Sequence, residues 1–358
     1  MKKIFVILIS LFIFSGCSVK QNEELISFAS WGSITEVKIL KQIIADFEEE
    51  NPNIKINFMH IPQNYFQKIH LLFASNTPPD VIFINNLYLP IYASKLEDLS
   101  NYIDDKEFFE QAITGLSYEN KLLAIPRDIS NLVFYINSDL VQDISNEWTL
   151  EDFLEIAKKS TKKEQWGAGF EEDIYYLFPY LSYYGEKFDN KFLFEESKGL
   201  RFYKDLRDKY QVVPKKSQVG SSTLAQMFLD KKIAMYLSGR WMYPKIREKA
   251  DFQWTIKSFP VGKSPLPCDC SGWAISKDSK HKDSAIKFVR YLSGEKSAEV
   301  FTKTDLITPA RKSASLYLND KKHNDQVFID IISKSKNTFV TKDYKKLVDN
   351  INLRIQED

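Results

Sequence analysis

The alternation of apolar and polar positions places a strand first. Leu25-Ile26-Ser27-Phe28-Ala29 reads as extended chain and gives way to Ser30-Trp31-Gly32. A helix is predicted next. Ser33 with Glu36 three residues on forms a capping box, and Val37, Leu40, Ile43, Ile44 and Phe47 recur at helical spacing. Asn51-Pro52-Asn53 stops it, because proline cannot continue a helix. Ile54, Ile56 and Phe58 alternate with polar residues, which predicts a strand over 54–58. A second helix over 65–74 presents Phe66, Ile69, Leu72 and Phe73, and Pro78-Pro79-Asp80 breaks it. The unbroken run Val81-Ile82-Phe83-Ile84 marks a buried parallel strand. This β-α-β-α-β order predicts an open parallel sheet with helices on both faces. In such sheets ligands bind beyond the carboxyl ends of the strands. Those ends carry Ser30-Trp31-Gly32 and Asn85-Asn86.

Further along, Leu122–Ile125 and Leu132–Ile136 read as strands on either side of Pro126-Arg127-Asp128. Thr149 and Asp152 open a capped helix that runs to Lys159. Aromatic density then peaks from Trp166 to Tyr184. Helices are predicted over 197–209 and 221–230, and a strand over Ile233–Leu237 leads into Ser238-Gly239-Arg240-Trp241. Strands at 252–256 and 272–275, a helix over 284–292, another after Gly294, and a largely helical tail from Val327 complete the pattern.

The N-terminus changes the picture most. Lys2 and Lys3 precede an apolar run from Ile4 to Phe14 that is shorter than the roughly 20 residues a membrane-spanning helix needs. It fits the apolar core of a secretory signal. Phe14-Ser15-Gly16-Cys17 resembles a bacterial lipobox, so residues 1–16 are expected to be removed as a signal peptide. Cys17 is expected to be acylated, with palmitate an expected chain, and 17–23 to serve as a tether. Losing Lys2 and Lys3 moves the net charge from +1 to −1. Neither value gives an electrostatic case for a nucleic-acid partner. The length of 358 residues exceeds one typical domain of roughly 100–200 and predicts two lobes.

Cys268 and Cys270 read either as two semi-buried thiols or as a strained disulfide. The four histidines show no metal-ligand spacing relative to them. His-Glu-x-x-His, the Walker loop and the Gly-x-Ser-x-Gly elbow are all missing from the sequence. No cofactor and no metal is therefore expected. Abundant Asp and Glu leave a lipid-anchored glycoside hydrolase as the reading from the enzyme class.

Six ordered segments carry a family resemblance: FEEENPNIKI (47–56), KIHLLFASNTPPDVIF (68–83), KLLAIPRDISNLVFYINSD (121–139), WTLEDFLEIAKKST (148–161), FLDKKIAMYLSGRW (228–241) and SGWAISKDSKHKDSAIKFVRYLSG (271–294), followed by Thr308-Pro309-Ala310-Arg311. The chain resembles the extracellular solute-binding protein family 1, the sugar-type receptors of ABC importers related to maltose-binding protein. Two departures stand out. Asn120 occupies a position where the family carries glycine, and the insert around Val141–Glu147 is short.

The resemblance implies an α/β, two-lobed periplasmic-binding-protein-like fold of type II, with a ligand cleft between the lobes. Lobe 1 would comprise 24–130 plus 271–310, and lobe 2 131–270 plus 311–358. The crossings would fall near Arg127–Leu132, Pro267–Ser271 and Pro309–Ser313, and closure would be a hinge motion. The implied function is that of a monomeric, membrane-anchored receptor facing the periplasm or cell exterior. It would capture a sugar or oligosaccharide and deliver it to the transmembrane subunits of an ABC permease. A non-sugar solute (a glycerol phosphodiester, a polyamine or a peptide) is the alternative.

Candidate ligand-binding residues follow from chemistry and position. Trp31, at a strand's carboxyl edge, can stack on the C–H face of a sugar. Trp241 is where the related receptors place an aromatic platform, and Gly239 allows close backbone approach or a sharp turn. Trp273 sits at a crossing, and Tyr175 in a segment where the family supplies an aromatic contact. Asp128 can accept two hydroxyl hydrogens from a diol, and Arg127 beside it can donate. Asn85 offers both a donor and an acceptor, and Arg311 lies in the last crossing.

Overall fold

The computed structural model describes residues 23–338 apart from 143, 146, 189–191 and 193, together with 340 and 344–356. The expected signal peptide, Cys17 and all of the tether but Glu23 lie outside the described residues. Among those described, no helix is long and apolar enough to cross a membrane.

The first sheet begins as the patterning predicts. The strand Glu24–Ser30 pairs in parallel with Ile54–His60 on one side and Val81–Asn85 on the other. The helices between them are Ile34–Glu50 and Tyr65–Ala74. The first starts on a complete capping box, with Ser33 and Glu36 each bonding the other's backbone N–H. Buried Tyr65 places its hydroxyl 3.0 and 2.9 Å from the carbonyls of Ala29 and Phe83, tying together the two strand ends that flank Trp31 and Asn85.

Beyond this opening unit most of the pairing is antiparallel. The long strand Leu266–Ile275 runs antiparallel to Val81–Asn85 and to Ile125–Ser130, and Thr308–Pro309 closes that edge. The second sheet has the order Trp254–Ser258, Val133–Asn137, Ile233–Ser238, Trp166–Gly169, and only its last pair is parallel. The predicted parallel-rich character therefore holds for the opening segment and for two further pairs, Trp166–Gly169 with Ile233–Ser238 and Leu266–Cys268 with Ser335–Asn337, while the remaining pairs of the two sheets are antiparallel.

Two hydrophobic cores result. One runs from Ile26 to Ile129 and from Cys268 to Ala310, and also takes in Ile332. The other runs from Leu132 to Leu266 and recruits Phe328, Ile331, Ile351 and Ile355. The C-terminal portion departs from the expected division. Ser313–Tyr317 packs against the helix Glu295–Lys303 of the first lobe, with Lys303 over the Tyr317 ring. Ser335–Asn337 then pairs with Leu266–Cys268. The helix Tyr344–Gln356 returns to the second lobe. There Asn352 donates to Asp173 at 3.0 Å and accepts from the N–H of Ile174 at 2.9 Å, at the start of the helix Ile174–Tyr184.

Two sequence peculiarities find a reason here. Glu119 and Asn120 have φ of 50° and 61° and turn the hairpin between Ser117–Tyr118 and Lys121–Leu122. Two positive φ values define the tight turn that strand twist favours, and asparagine tolerates that conformation where the family has glycine. The predicted break at Pro126-Arg127-Asp128 is instead a bulge within one strand. Asp128 pairs with Ser271 and Pro126 with Gly272, leaving Arg127 as the extra residue. A side chain on Gly272 would begin 2.3 Å from the Ile125 carbonyl oxygen, so the bulge demands glycine opposite it.

Candidate ligand-binding site

A cavity of about 530 Å³ opens between the lobes. The first lobe supplies Trp31 from the end of its first strand and Phe83 and Asn85 from its third. The second supplies Tyr175 from the helix Ile174–Tyr184, and Arg240 and Trp241 from the turn after Ile233–Ser238. Its floor is hinge strand: Arg127 to Ser130 and Asp269 to Ser271.

Two aromatic pairs line it. Trp31 leans on Phe83 with ring centroids 5.8 Å apart, and Trp241 on Tyr175 at 6.1 Å. Trp31 and Trp241 are 47% and 39% exposed, so each keeps a face available for a ligand. Asp173, held by Asn352, caps the helix through the Tyr175 N–H at 2.8 Å and so fixes that ring's base.

Polar groups sit beneath the rings. Neighbours on a flat strand point to opposite faces; the bulge is what allows Arg127 and Asp128 both to line the cavity. Arg127 is buried against the rings of Phe83, Trp273 and Phe301, at 5.0, 5.5 and 5.5 Å. It donates to Asp128 in a short ion pair and reaches Glu36 at 3.5 Å. Burial opposes its charge, but Asp128 and Glu36 more than offset this and hold its pKa above the ordinary value. Asp128 also accepts from the Ser271 hydroxyl at 2.7 Å. Asn85 Oδ1 accepts from the Tyr88 N–H at 3.2 Å, and its amide lines the cavity.

Three expected site residues lie elsewhere. Trp273 is fully buried between Phe28 and Phe83 and backs the first lobe's wall without reaching the cavity. Its side chain points into the sheet's inner face, so a crossing position does not make it a ligand contact. Gly239 does not line the cavity; a Cβ there would fall 2.0 Å from Cζ3 of Trp241. Its lack of a side chain seats the Trp241 ring. Arg311 sits over Phe108, pairs with Glu107 at 2.8 Å and donates to the Ser293 carbonyl at 3.0 Å. It lines a separate depression of the first lobe.

Sequence reading missed Glu36, Phe83, Asp269 and Ser271 as cavity residues, whereas Arg240, a candidate cleft arginine beside Trp241, does line the cavity. Glu36 was absorbed by its capping role, though only one of its oxygens is so used. Arg240 is buried and spans the lobes, pairing with Asp305 at 2.9 Å and Asp325 at 3.4 Å, while its Nε has no partner among the described residues. Asp269 was overlooked between two cysteines, yet a carboxylate on an otherwise apolar strand is the signal that could have found it. Cys268 and Cys270 themselves are free thiols, fully buried where semi-burial or a disulfide was expected, with Asn337 Nδ2 at 3.8 and 3.2 Å from their sulfurs.

Burial, opposed by a 3.2 Å hydrogen bond from Asn86, pushes the Asp269 carboxyl up to about 6. A raised carboxyl pKa means that the folded protein holds the proton more tightly than the unfolded chain does. Stability therefore falls as pH rises from about 4 through 6, and the loss is complete above that window. Asp269→Asn should thus gain about 2–3 kcal/mol in urea unfolding at pH 8, at about 1.4 kcal/mol per pKa unit, and almost nothing at pH 4. Equal gains at both pH values would show that charge is not the cause.

A sequence profile of the bacterial extracellular solute-binding proteins matches residues 42–328, and the chain belongs to that family. Among curated relatives, the galactooligosaccharide-binding protein of Bacillus subtilis (strain 168) is 21% identical over 327 residues, covering 83% of this chain and 75% of that one. Among solved structures, the ABC substrate-binding protein of Listeria monocytogenes in complex with cycloalternan superposes with a TM-score of 0.84. Identity is 22%, over 94% of this chain and 93% of the other. UgpB of Mycobacterium tuberculosis in complex with glycerophosphocholine superposes with a TM-score of 0.79 at 16% identity, over 92% of each. The fold is thus that of a two-lobed binding protein.

Proposed function

We propose that the protein is the substrate-binding lipoprotein of an ABC importer. It captures a sugar or oligosaccharide between its lobes, closes over it by a hinge motion and presents it to the permease. The observation that carries this reading is the pairing of two half-exposed tryptophans, one from each lobe, above a floor of carboxylates, amides and a hydroxyl. Indole faces suit the C–H faces of a pyranose, and the floor suits its hydroxyls. The names of relatives that bind galactooligosaccharide and cycloalternan point the same way. Anchoring would come from acylation of Cys17.

The similarity to a receptor holding glycerophosphocholine favours a second reading, a glycerol phosphodiester receptor. A thermal-shift screen of the chain from residue 17 onward, with Cys17→Ser, separates the two. A ligand at 100 times its dissociation constant adds about 2.7 kcal/mol of stability. The expected result is an upward shift with one saccharide class. A shift with glycerophosphocholine and with no saccharide would overturn the sugar reading.

A further inference from the structure

The cavity's charges do not balance, and the imbalance is built from buried groups. Its two cations are already committed. Arg127 is paired with Asp128 and Glu36, and Arg240 with Asp305 and Asp325. Among the described residues, no lysine or histidine lines the cavity. Asp269, by contrast, is only 7% exposed and, among the described residues, has no cation for a partner; the neutral amide of Asn86 donates to it at 3.2 Å. It faces the same space as Trp31, Tyr175 and Trp241. The Tyr175 hydroxyl lies close enough that burial, and then the Asp269 charge, push its pKa well up.

Two physical consequences follow. An anionic ligand would meet Asp128, Asp269 and Glu36, and the Nε left open on Arg240 belongs to a guanidinium already neutralised by Asp305 and Asp325; like charges in a desolvated cleft repel strongly. A cationic group would find a desolvated carboxylate ringed by aromatic faces, the two features that together hold an ammonium.

We propose that the cleft selects its ligand by charge, taking a saccharide that bears an ammonium group, with Asp269 as the counter-ion, and rejecting anionic saccharides. This refinement rests on the sugar reading. Isothermal titration calorimetry at pH 7.5 on the Cys17→Ser chain tests it. The probes are oligomers of glucosamine and galactosamine, neutral disaccharides of glucose and galactose, and disaccharides ending in a uronic acid. Choline and glycerol 3-phosphate serve as non-sugar probes.

The expected order is ammonium-bearing tightest, by about ten-fold or more over neutral, with the uronic acids weakest. Asp269→Asn, checked for native circular dichroism, should abolish the ammonium preference, bringing the ammonium-bearing saccharides to within about three-fold of the neutral ones measured on the same variant. Neutral or anionic saccharides binding as tightly as the ammonium-bearing ones would overturn the proposal and leave the sugar reading standing. An ammonium preference that survives Asp269→Asn would overturn the role given to Asp269. If no saccharide of any charge binds, the sugar reading fails. Choline against glycerol 3-phosphate then decides the charge rule alone: binding of choline keeps it, and its absence ends it.

Discussion

Arg127→Ala costs about 3–5 kcal/mol of stability, the range measured when one partner is taken from a buried ion pair. The side chain is 7% exposed, and so nearly is Asp128 at 6%. Its removal leaves Asp128 and Glu36 facing each other's charge without a cation between them, and opens a void against Phe83, Trp273 and Phe301. Against a usual total of about 5–15 kcal/mol, that loss is large. The urea midpoint of the ligand-free protein measures it. Glu107→Ala, which breaks the half-exposed pair with Arg311, is the comparison and should cost no more than about 1 kcal/mol. Equal effects of the two substitutions would mean that the Arg127 cluster is not the structural centre of the cleft floor.

Trp241→Ala lowers ligand affinity by about 30- to 1,000-fold, equivalent to about 2–4 kcal/mol for a central aromatic in a binding pocket. Stability should change little, because the indole is 39% exposed and rests mainly on Gly239 and Tyr175. The split between affinity and stability is the informative part. A stacking platform moves the first and spares the second, whereas a core tryptophan such as Trp273 would move both. Calorimetry with the ligand found by the screen, paired with a urea melt of each variant, reads both quantities. An affinity loss below about three-fold would remove Trp241 from the site.

The opening β-α-β-α-β unit was legible because each of its elements is local. The capping box at Ser33, the proline stops and the apolar run at Val81 need no information from elsewhere in the chain. Trp31, Asn85, Arg127, Asp128 and Trp241 were legible as cavity candidates because strand ends and crossings are where a two-lobed fold exposes side chains, whereas Tyr175, near the start of a helix, came only from the family resemblance. What failed was placement. Trp273 and Asp269 lie on the same strand, one set in the core and the other in the cavity wall. Four residues apart, they share one face of the strand, and they differ because that strand runs from the second lobe's core at Leu266, past the cavity, into the first lobe's core at Trp273. Arg311 failed for a related reason: the last crossing passes behind the first lobe at that point, where Glu107 and Ser293 receive the guanidinium. Arg240 and Asp305 are 65 positions apart, and no local pattern announces their meeting.

The first sheet joins strands that begin at Glu24 and end at Asn337, and its central member, Leu266–Ile275, pairs with partners more than 100 residues upstream. Such non-local pairing raises contact order and slows folding, since long loops must close before any pairing rewards them. Were the expected signal peptide to direct export of the chain, slowness would have a use. Neither lobe can complete its sheet until most of the polypeptide is available, so the segment already made stays threadable while the remainder is synthesised. The interleaving that gives the cleft its shared floor would thereby also keep the nascent chain in a state that a translocation channel can accept.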